Sequence, residues 1–376
     1  MKAQNNQDIS KVLVLHPIIA PYRIDFFNAI SEKFDTRVCL MWDNLKDQKF
    51  DYKKIEQQFN FVPTYILRDE LGFFKWSTMI WKTISDFKPD IVITNEFGFT
   101  TDIALLCRLF TRQHYKLVSI VDDSYDMVAN NNQFTWRHKK AMELLMPYLD
   151  NVINVEPRVT EWYKEQFGKG IYFPIICNDE IARRRQERVL NISEKYLSKF
   201  DLVGKRVLLF VGRLVKLKNL DSAIQAFVKA NVEDSVFIIV GDGVERSHLE
   251  SIASDNKNIL FVGRYEGDDL YAWYNVGQVF TLPSIQEPFG AVTNEALVAG
   301  CKALVSRYAG SNCLVKEGIN GKIIDPYDIE SFAKEIRSIL QDIEPLNLPL
   351  AVKPNLMQSS FGEHIDRLSA ELLSLQ

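Results

Sequence analysis

The chain lacks the cysteine spacing of a zinc ribbon, a redox motif or a disulfide framework. Its five cysteines contain no C-x-x-C pair. An odd, scattered set suits a reducing compartment better than a set of disulfides. We therefore interpret all of them as small buried residues: Cys39, Cys107, Cys177, Cys301 and Cys313.

Long hydrophobic runs and an excess of positive charge are also missing. No stretch reaches the roughly 18 apolar residues that a membrane helix needs. The opening residues, MKAQNNQDISK, lack the apolar core of a signal peptide. The formal net charge is −4, whereas nucleic-acid binders usually carry a basic stripe. We expect a cytoplasmic protein that binds no nucleic acid.

Short apolar runs alternate with helical patterns along the whole chain. The strands predicted in the first half are residues 11–16, 36–41, 61–67, 90–94, 116–121 and 151–155. Those in the second half are residues 206–211, 235–240, 258–262, 278–282, 302–306 and 322–325. Near-continuous Val, Ile and Leu runs are typical of strands buried on both faces.

This alternation predicts an α/β protein with two doubly wound, Rossmann-like parallel-sheet domains facing across a cleft. We expect an N-terminal domain over 1–175, a linker over 176–204 and a C-terminal domain over 205–344. A C-terminal segment, 345–376, begins with three prolines and ends in a helix that we expect to pack back on the N-terminal domain. Ligands of such sheets bind beyond the carboxyl ends of the strands, so the cleft is the expected site.

Three loops after predicted strands of the second half carry candidate ligand groups. Residues 212–219, GRLVKLKN, offer Arg213 and Lys218 beside a helix start, which favours a phosphate or diphosphate. A solvated basic loop is the alternative. Gly241-Asp242-Gly243 predicts a tight turn. This turn either contacts a ligand or only reverses the chain.

The third loop and its helix, residues 283–297, read PSIQEPFGAVTNEAL. We expect a helix to begin near Gly290 and to carry Glu295, while Glu287 lies in the loop before it. Both carboxylates would accept hydrogen bonds from sugar and ribose hydroxyls, and the helix N-terminus would favour an anion. Alternatively, Glu295 only complements the helix dipole.

Taken together, these motifs resemble the retaining nucleotide-sugar glycosyltransferases of family 4 (glycosyl transferases group 1), which have the GT-B fold. Glu287 and Glu295 form an E-x7-E element, and G-R-L-x3-K precedes it at 212–218. Further matching pieces follow in order: VGDG at 240–243, FVGR at 261–264, AG at 309–310 and GING at 318–321. The resemblance covers about residues 205–342, and the first half only in architecture.

The resemblance implies a role for each matching position. Arg213 and Lys218 would hold the donor diphosphate, Glu287 the hydroxyls of the donor sugar, and Glu295 the ribose. Backbone groups around Phe289 and Gly290 would meet sugar and phosphate, and Gly263-Arg264 would lie against the base. The implied catalytic residues are Glu287, Arg213 and Lys218. Asp122 and Asp123, in the N-terminal domain that would bind the acceptor, are further catalytic candidates. The donor-binding set is Gly212, Arg213, Lys218, Gly241, Gly263, Arg264, Ser284, Glu287, Phe289, Gly290 and Glu295.

The implied activity is transfer of a hexose from a nucleotide-diphosphate sugar to a glycan or lipid-linked acceptor. The expected pathway is surface-polysaccharide or glycolipid synthesis. UDP is the first choice of base and GDP the second. No Asp-x-Asp triplet occurs, which agrees with a reaction that needs no metal or other cofactor. The alternatives are a non-catalytic nucleotide-sugar-binding protein of this fold and a nucleotide-sugar epimerase.

The first half departs from the usual pattern of such enzymes. After its first strand it has His16-Pro17 and then Pro21-Tyr22-Arg23, and Arg23 is expected either to reach a phosphate or acceptor or to form a surface salt bridge. Relatives often carry a histidine after the fifth strand, where this chain has Asp122-Asp123-Ser124. One aspartate would contact the donor sugar or accept the acceptor's proton, unless it only caps a helix.

Three other features of the first half are a glutamate after a strand, a set of histidines and an aromatic segment. Glu96 follows the strand DIVIT and is a candidate acceptor contact. The histidines His114, His138, His248 and His364 have no partner in the sequence, so we interpret them as structural. Residues 71–82, LGFFKWSTMIWK, predict a buried helix or, alternatively, an interfacial surface that meets a lipid-linked acceptor with Lys75 and Lys82.

Overall fold

The computed structural model describes residues 9–42, 51–111, 113–130, 135–253 and 256–376. The chain divides into two compact units. The first contains Met1–Pro174 and Gly362–Gln376, and the second contains Ile175–Phe361.

The first unit contains a parallel sheet of seven strands in the order β3-β2-β1-β4-β5-β6-β7. Their bounds are β1 Lys11–His16, β2 Asp35–Leu40, β3 Thr64–Tyr65, β4 Ile91–Asn95, β5 Lys116–Val121, β6 Asn151–Asn154 and β7 Ile171–Tyr172. The central strands are buried along nearly their whole length, as predicted from their unbroken apolar runs.

Eight helices belong to the described part of this unit. They are α1 Ile24–Lys33, α2 Tyr52–Glu56, α3 Arg68–Phe87, α4 Phe99–Thr111, α5 Tyr125–Asn130, α6 Trp136–Leu145, α7 Pro157–Phe167 and, numbered last in the chain, α15 Phe361–Leu373. Short 3₁₀ helices cover Pro21–Arg23 and Met146–Tyr148. Gly72 interrupts α3 with a left-handed φ of 70°.

The second unit contains a parallel sheet of six strands in the order β10-β9-β8-β11-β12-β13. Their bounds are β8 Arg206–Val211, β9 Ser235–Val240, β10 Ile259–Gly263, β11 Val279–Leu282, β12 Lys302–Ser306 and β13 Gly321–Ile324. The helices are α8 Asp179–Arg188, α9 Leu190–Lys199, α10 Leu220–Ala230, α11 Arg246–Ala253, α12 Gly267–Val276, α13 Val292–Val298 and α14 Ile329–Gln341. 3₁₀ helices cover Lys216–Lys218 and Gly310–Leu314.

The predicted linker, 176–204, is wrong as a structural description, because it contains α8 and α9 and belongs to the second unit. Both helices pack on α12. Tyr196 of α9 stacks on the buried Trp273 with ring centroids 4.5 Å apart. Arg185 and Arg188 of α8 both bind Asp268 at 2.8 Å. Helix α8 is difficult to recognise from the sequence because it is highly charged and buries only Ala182 and Gln186.

Three further differences concern strands and the end of the chain. The predicted strand 61–67 shrinks to β3, which follows Pro63, a residue without a backbone N–H to donate. The two-residue β7 gives no periodic signal and was missed. Helix α15 lies in the first unit, where Asp366 accepts from Lys33 at 2.7 Å and His364 packs edge-on against Tyr172.

Candidate functional site

The predicted donor-binding residues lie in the loops at the carboxyl edge of the second sheet. Gly212 follows β8, Gly241 follows β9, Gly263 ends β10 and Ser284 lies just after β11. All strands of this sheet are parallel. The loops that the sequence singled out therefore meet at one edge of one sheet.

The loops after β8 and β9 contact each other through their backbones. The N–H of Gly212 donates to the carbonyl of Val240 at 3.0 Å, and that of Leu214 to Asp242 at 2.9 Å. A Cβ placed on Gly241 would lie only 1.8 Å from the carbonyl oxygen of Gly212. Only glycine fits at this approach, which explains its presence after β9.

The loop after β8 carries the basic residues Arg213 and Lys218. Lys218 forms an ion pair with Glu287, and each side chain is only 16% exposed. Arg213 is exposed, and no hydrogen bond or ion pair to another described residue involves its side chain. The structure thus joins Lys218 and Glu287, which are distant in sequence, while Arg213, on the same loop as Lys218, is exposed to solvent.

The segment around Phe289 is fixed by its own backbone. Gly310 donates its N–H to Glu287 at 3.1 Å, and Ser311 donates to the carbonyl of Phe289 at 2.7 Å. The Phe289 side chain is buried. Gly290 has a φ of 95°, and a Cβ there would lie 2.6 Å from Leu282. Phe289 and Gly290 therefore offer only backbone groups to solvent, and their predicted contact with sugar and phosphate stays a prediction.

Glu295 lies on α13 and accepts a hydrogen bond of 2.6 Å from the hydroxyl of Tyr274. Tyr274 belongs to α12 and is fully buried. Burial and the neighbouring Glu295 charge raise the pKa of this tyrosine well above its usual value. The Tyr274 hydroxyl therefore stays protonated at ordinary pH values. It donates its hydrogen bond to Glu295 and so orients the carboxylate. No local pattern indicates this pair, since Tyr274 resembles any other aromatic core residue in the sequence.

The remaining donor-site candidates are Arg264, Gly263 and Ser284. Arg264 is exposed and pairs with the nearby Glu266. Gly263 accepts the N–H of Gly241 at 2.8 Å through its carbonyl. Ser284 is buried, and its hydroxyl has no hydrogen-bond partner among the described residues.

In the first unit, the two adjacent aspartates of the loop after β5 have different environments. Asp122 is 35% exposed and forms an ion pair with Arg23, whose side chain is buried. The alternative of a surface salt bridge for Arg23 is therefore wrong. Asp123 is buried and accepts from the hydroxyl of Tyr163 at 2.6 Å. Of the two, only Asp122 is open to a ligand.

Asp123 also lies beside His138, a histidine that was interpreted as structural because it has no partner in the sequence. Nε2 of His138, on α6, is 3.2 Å from Oδ1 of Asp123. This contact raises the pKa of His138 above its ordinary value. His248 likewise has a partner, Asp221, at 2.9 Å. These partners come from other elements, so no local spacing in the sequence indicates them.

Glu96 completes this group at the carboxyl edge of the first sheet. Its Oε1 accepts the N–H of Asp122 at 3.1 Å. Burial, followed by the negative charges of Asp122 and Asp123, raises the pKa of Glu96 to about 8. Nearby His16 is buried under Arg23, and burial together with that positive charge lowers its pKa to about 4.

Residues 71–82 belong to helix α3, which is buried on one side and exposed on the other. Trp76 and Ile80 of α3 are buried, whereas Phe74 is 84% exposed and Phe73 is half exposed. The Arg68 guanidinium lies 5.6 Å from the ring centre of Phe73 and 5.3 Å from that of Phe99 on α4. Among the described ranges, no helix combines the length and apolarity required to cross a membrane.

Residues 193–350, all within the second unit, match the family described as Glycosyl transferases group 1. The chain is 32% identical over 142 residues to an uncharacterized glycosyltransferase of Methanocaldococcus jannaschii, covering 37% of this chain and 36% of that protein. A second uncharacterized glycosyltransferase of that organism is 25% identical over 300 residues, covering 76% of this chain and 74% of its own. The chain thus spans about a third of the first relative and three quarters of the second.

Solved structures show the fold of the whole chain. The Anabaena protein HepE, solved in complex with UDP, superposes with a TM-score of 0.69 at 16% identity over 97% of both chains. The lipopolysaccharide outer core galactosyltransferase WaaB superposes with a TM-score of 0.67 at 14% identity over 97% of this chain and 100% of that one. These likenesses and the two Rossmann-like sheets confirm the predicted GT-B fold.

Proposed function

With a glycosyl transferases group 1 domain in its second unit, we propose that this protein is a glycosyltransferase that takes a hexose from a nucleotide-diphosphate sugar. UDP is the proposed base, and the HepE complex with UDP supports that choice by analogy of fold. The observation that carries the proposal is the Lys218–Glu287 pair, whose lysine lies on the same loop as the exposed Arg213. A diphosphate joined to a sugar requires cations and a carboxylate acceptor, and these residues can supply them.

In this proposal, Lys218 and Arg213 bind the diphosphate. The Lys218 ammonium has three donors, so it can keep Glu287 as a partner and still donate to a phosphate oxygen. Glu287 then accepts from a hydroxyl of the donor sugar, close to the breaking bond. Glu295 accepts from the ribose hydroxyls, and its bond to Tyr274 holds the carboxylate in one orientation.

The other members of the donor set act through their backbones or their position. N–H groups near Phe289 and Gly290 meet the sugar and phosphate, and Ser284 supplies a hydroxyl at the same edge of the sheet. Gly212 and Gly241 allow the two loops to approach each other. Gly263 and Arg264 contact the base, and Arg264 would exchange its partner Glu266 for the ligand.

The proposed mechanism rests on charge. Cleavage of the sugar–diphosphate bond builds negative charge on the leaving phosphate, which preorganised cations stabilise. Arg213 and Lys218 supply that stabilisation directly, so donor binding and departure need no metal. We propose retention of configuration, as in the enzymes that the sequence resembles.

The first unit is proposed to bind the acceptor. Asp122 is the better candidate for direct contact, because it is the more exposed of the two aspartates and Arg23 holds it in place. Asp123 is already engaged by Tyr163 and His138, so it would act only by positioning. A base must lie within hydrogen-bond reach of the hydroxyl that it deprotonates.

We further propose a lipid-linked or glycan acceptor in surface-polysaccharide or glycolipid synthesis at the cytoplasmic face of a membrane. Exposed Phe73 and Phe74, flanked by the exposed Lys75 and Lys82, support peripheral contact with an anionic surface. Wild type should sediment with vesicles of anionic lipid, and Phe74→Ser should sediment less. Equal sedimentation of both proteins would contradict this part of the proposal.

Calorimetric titration with UDP, GDP, ADP and dTDP tests the donor site. We expect UDP to bind, Glu295→Gln to weaken its binding, and EDTA to leave its affinity unchanged. Incubation with UDP-hexoses should then release UDP, faster when the right acceptor is present. If none of the nucleotides binds the folded protein, the proposed function is wrong.

A further inference from the structure

We propose that the first unit binds a divalent transition-metal cation between Glu96, Asp123 and His138. One carboxylate oxygen from each acidic residue and one ring nitrogen lie within 4.8 Å of one another. The three residues come from the loop after β4, the loop after β5 and the first turn of α6. No motif joins them in the sequence, and the missing Asp-x-Asp triplet concerned only the metal requirement of the transfer reaction.

In each carboxylate a protein donor holds one oxygen, which leaves the other oxygen available as a ligand atom. Oδ2 of Asp123 accepts from Tyr163 at 2.6 Å, while Oδ1 lies 3.2 Å from Nε2 of His138. Oε1 of Glu96 accepts from the Asp122 N–H at 3.1 Å, whereas its Oε2 is buried without a hydrogen-bond partner among the described residues. Outer hydrogen bonds of this kind orient the ligands of metal sites.

The imidazole is also fixed in orientation. Its ring packs edge-on against Phe97, with centroids 5.5 Å apart and planes at 82°. The backbone N–H of His138 donates to Oγ1 of Thr135, the residue that caps α6. A ring held in this way keeps its nitrogen directed at the two carboxylates, so little ordering is needed when a metal binds.

The backbone at Glu96 is held in a conformation that a glutamate rarely adopts. Its φ is 58°, in the left-handed region. The Glu96 N–H donates to Ile120 at 2.8 Å, and its carbonyl accepts from Thr101 at 2.7 Å and Ser119 at 2.8 Å. Left-handed backbone at a non-glycine residue persists where surrounding bonds over-determine it, and it is concentrated at functional sites.

The charge of the cluster indicates which kind of ion fits. Asp123 is only 1% exposed, and an unneutralised buried carboxylate is costly. Two carboxylates with one imidazole suit Zn²⁺ and similar first-row ions, whereas Mg²⁺ and Ca²⁺ prefer all-oxygen sites. The His138 side chain is 25% exposed, which leaves a route to solvent for the ion and for a water ligand.

The cation would connect two loops of the first sheet to α6, and so stabilise the first unit. This role is separate from the donor site, whose residues all lie in the second unit. The proposal therefore stands or falls independently of nucleotide binding.

The test uses the full-length protein, treated with EDTA, desalted and titrated with ZnCl₂ by calorimetry. We expect one Zn²⁺ per chain, a higher melting temperature with zinc, and no comparable effect of MgCl₂. Glu96→Gln and His138→Gln should each weaken zinc binding at least about tenfold. Loss of a direct ligand should cost no less than loss of an outer-shell partner, for which about tenfold is the lower limit. Tyr163→Phe should weaken it about tenfold. His114→Gln, which alters an exposed histidine outside the cluster, should bind zinc like wild type.

Circular dichroism and urea unfolding verify that each variant is folded. No zinc uptake by wild type would overturn the proposal and would mean that protons alone neutralise the cluster. Equal zinc affinity in Glu96→Gln, His138→Gln and His114→Gln would also overturn it, since the zinc would then be adventitious and bound elsewhere on the surface.

Discussion

The ion pair of Lys218 and Glu287 allows the contributions of one lysine to folding and to donor binding to be separated. Lys218→Ala removes the cation and leaves Glu287, only 16% exposed, without its partner. Leaving a largely buried charged group unpaired costs about 1–3 kcal/mol in the free energy of unfolding. We expect Lys218→Ala to be less stable by that amount in urea.

The same substitution should weaken nucleotide binding. A hydrogen bond to a charged group contributes about 1.5–3 kcal/mol. Since each 1.4 kcal/mol is about tenfold in affinity, the dissociation constant for UDP should rise about 10- to 100-fold. In an assay of transfer, turnover should fall about 100-fold or more, as expected when one group that stabilises developing charge is lost.

A second substitution separates the two effects. In Lys218→Ala/Glu287→Gln the buried carboxylate is neutral, so part of the lost stability should return while the affinity for UDP stays low. Lys216→Ala is the matched control, because Lys216 lies in the same 3₁₀ helix and is exposed. Calorimetry with UDP and urea unfolding of all four proteins provide the measurements.

Two results would refute this reasoning. If Lys218→Ala binds UDP as tightly as Lys216→Ala, the lysine does not contact the diphosphate. If the double variant is less stable than Lys218→Ala, the ion pair is not what Lys218 contributes to folding. The second result would leave the nucleotide prediction intact, because binding and stability are measured separately.

The remaining predictions concern a close backbone contact, a buried histidine and a buried tyrosine. Gly241→Ala should destabilise the protein by about 3 kcal/mol or more in urea, because its Cβ would overlap a backbone oxygen at 1.8 Å; Gly168→Ala, at a φ of 70° with open space around it, should cost about 1–2 kcal/mol, and equal losses would contradict the clash. The lowered pKa of His16, about 4 against 6.5 when unfolded, means that the unfolded chain binds the proton first. Stability should therefore fall by up to about 3 kcal/mol as pH drops from 6.5 to 4, and His16→Asn should lose this dependence; an unchanged pH profile would refute it. Tyr274→Phe should lower stability by about 1–3 kcal/mol and weaken UDP binding, because Glu295 loses its donor; unchanged affinity would argue against the ribose role.

Several strands could be predicted to the residue because their signal is local. β1, β5, β8, β9 and β12 begin and end where their apolar runs do. Each run is buried on both faces, so composition alone marks it. The short strands β3 and β7 could not be predicted in this way, since two residues pair only because a neighbouring strand happens to lie beside them.

The donor-site candidates were found from the sequence because each lies directly after a strand. Parallel strands end at the same edge of a sheet, so residues such as Gly212 and Gly241 had to come close together. What the sequence could not supply was the partner of each charge. Glu295 is bound by a tyrosine from α12, and Asp123 by residues from α6 and α7.

The sequence by itself determined the fold class, the order of the strands along the chain and the loops that carry ligand-binding groups, because periodicity and loop chemistry are local properties. Only the tertiary structure decided which charges are paired, which of Asp122 and Asp123 is open to solvent, and that Glu96, Asp123 and His138 form one cluster. Pairing and burial depend on contacts between distant segments, and the pKa of a group follows from those contacts rather than from its neighbours in sequence.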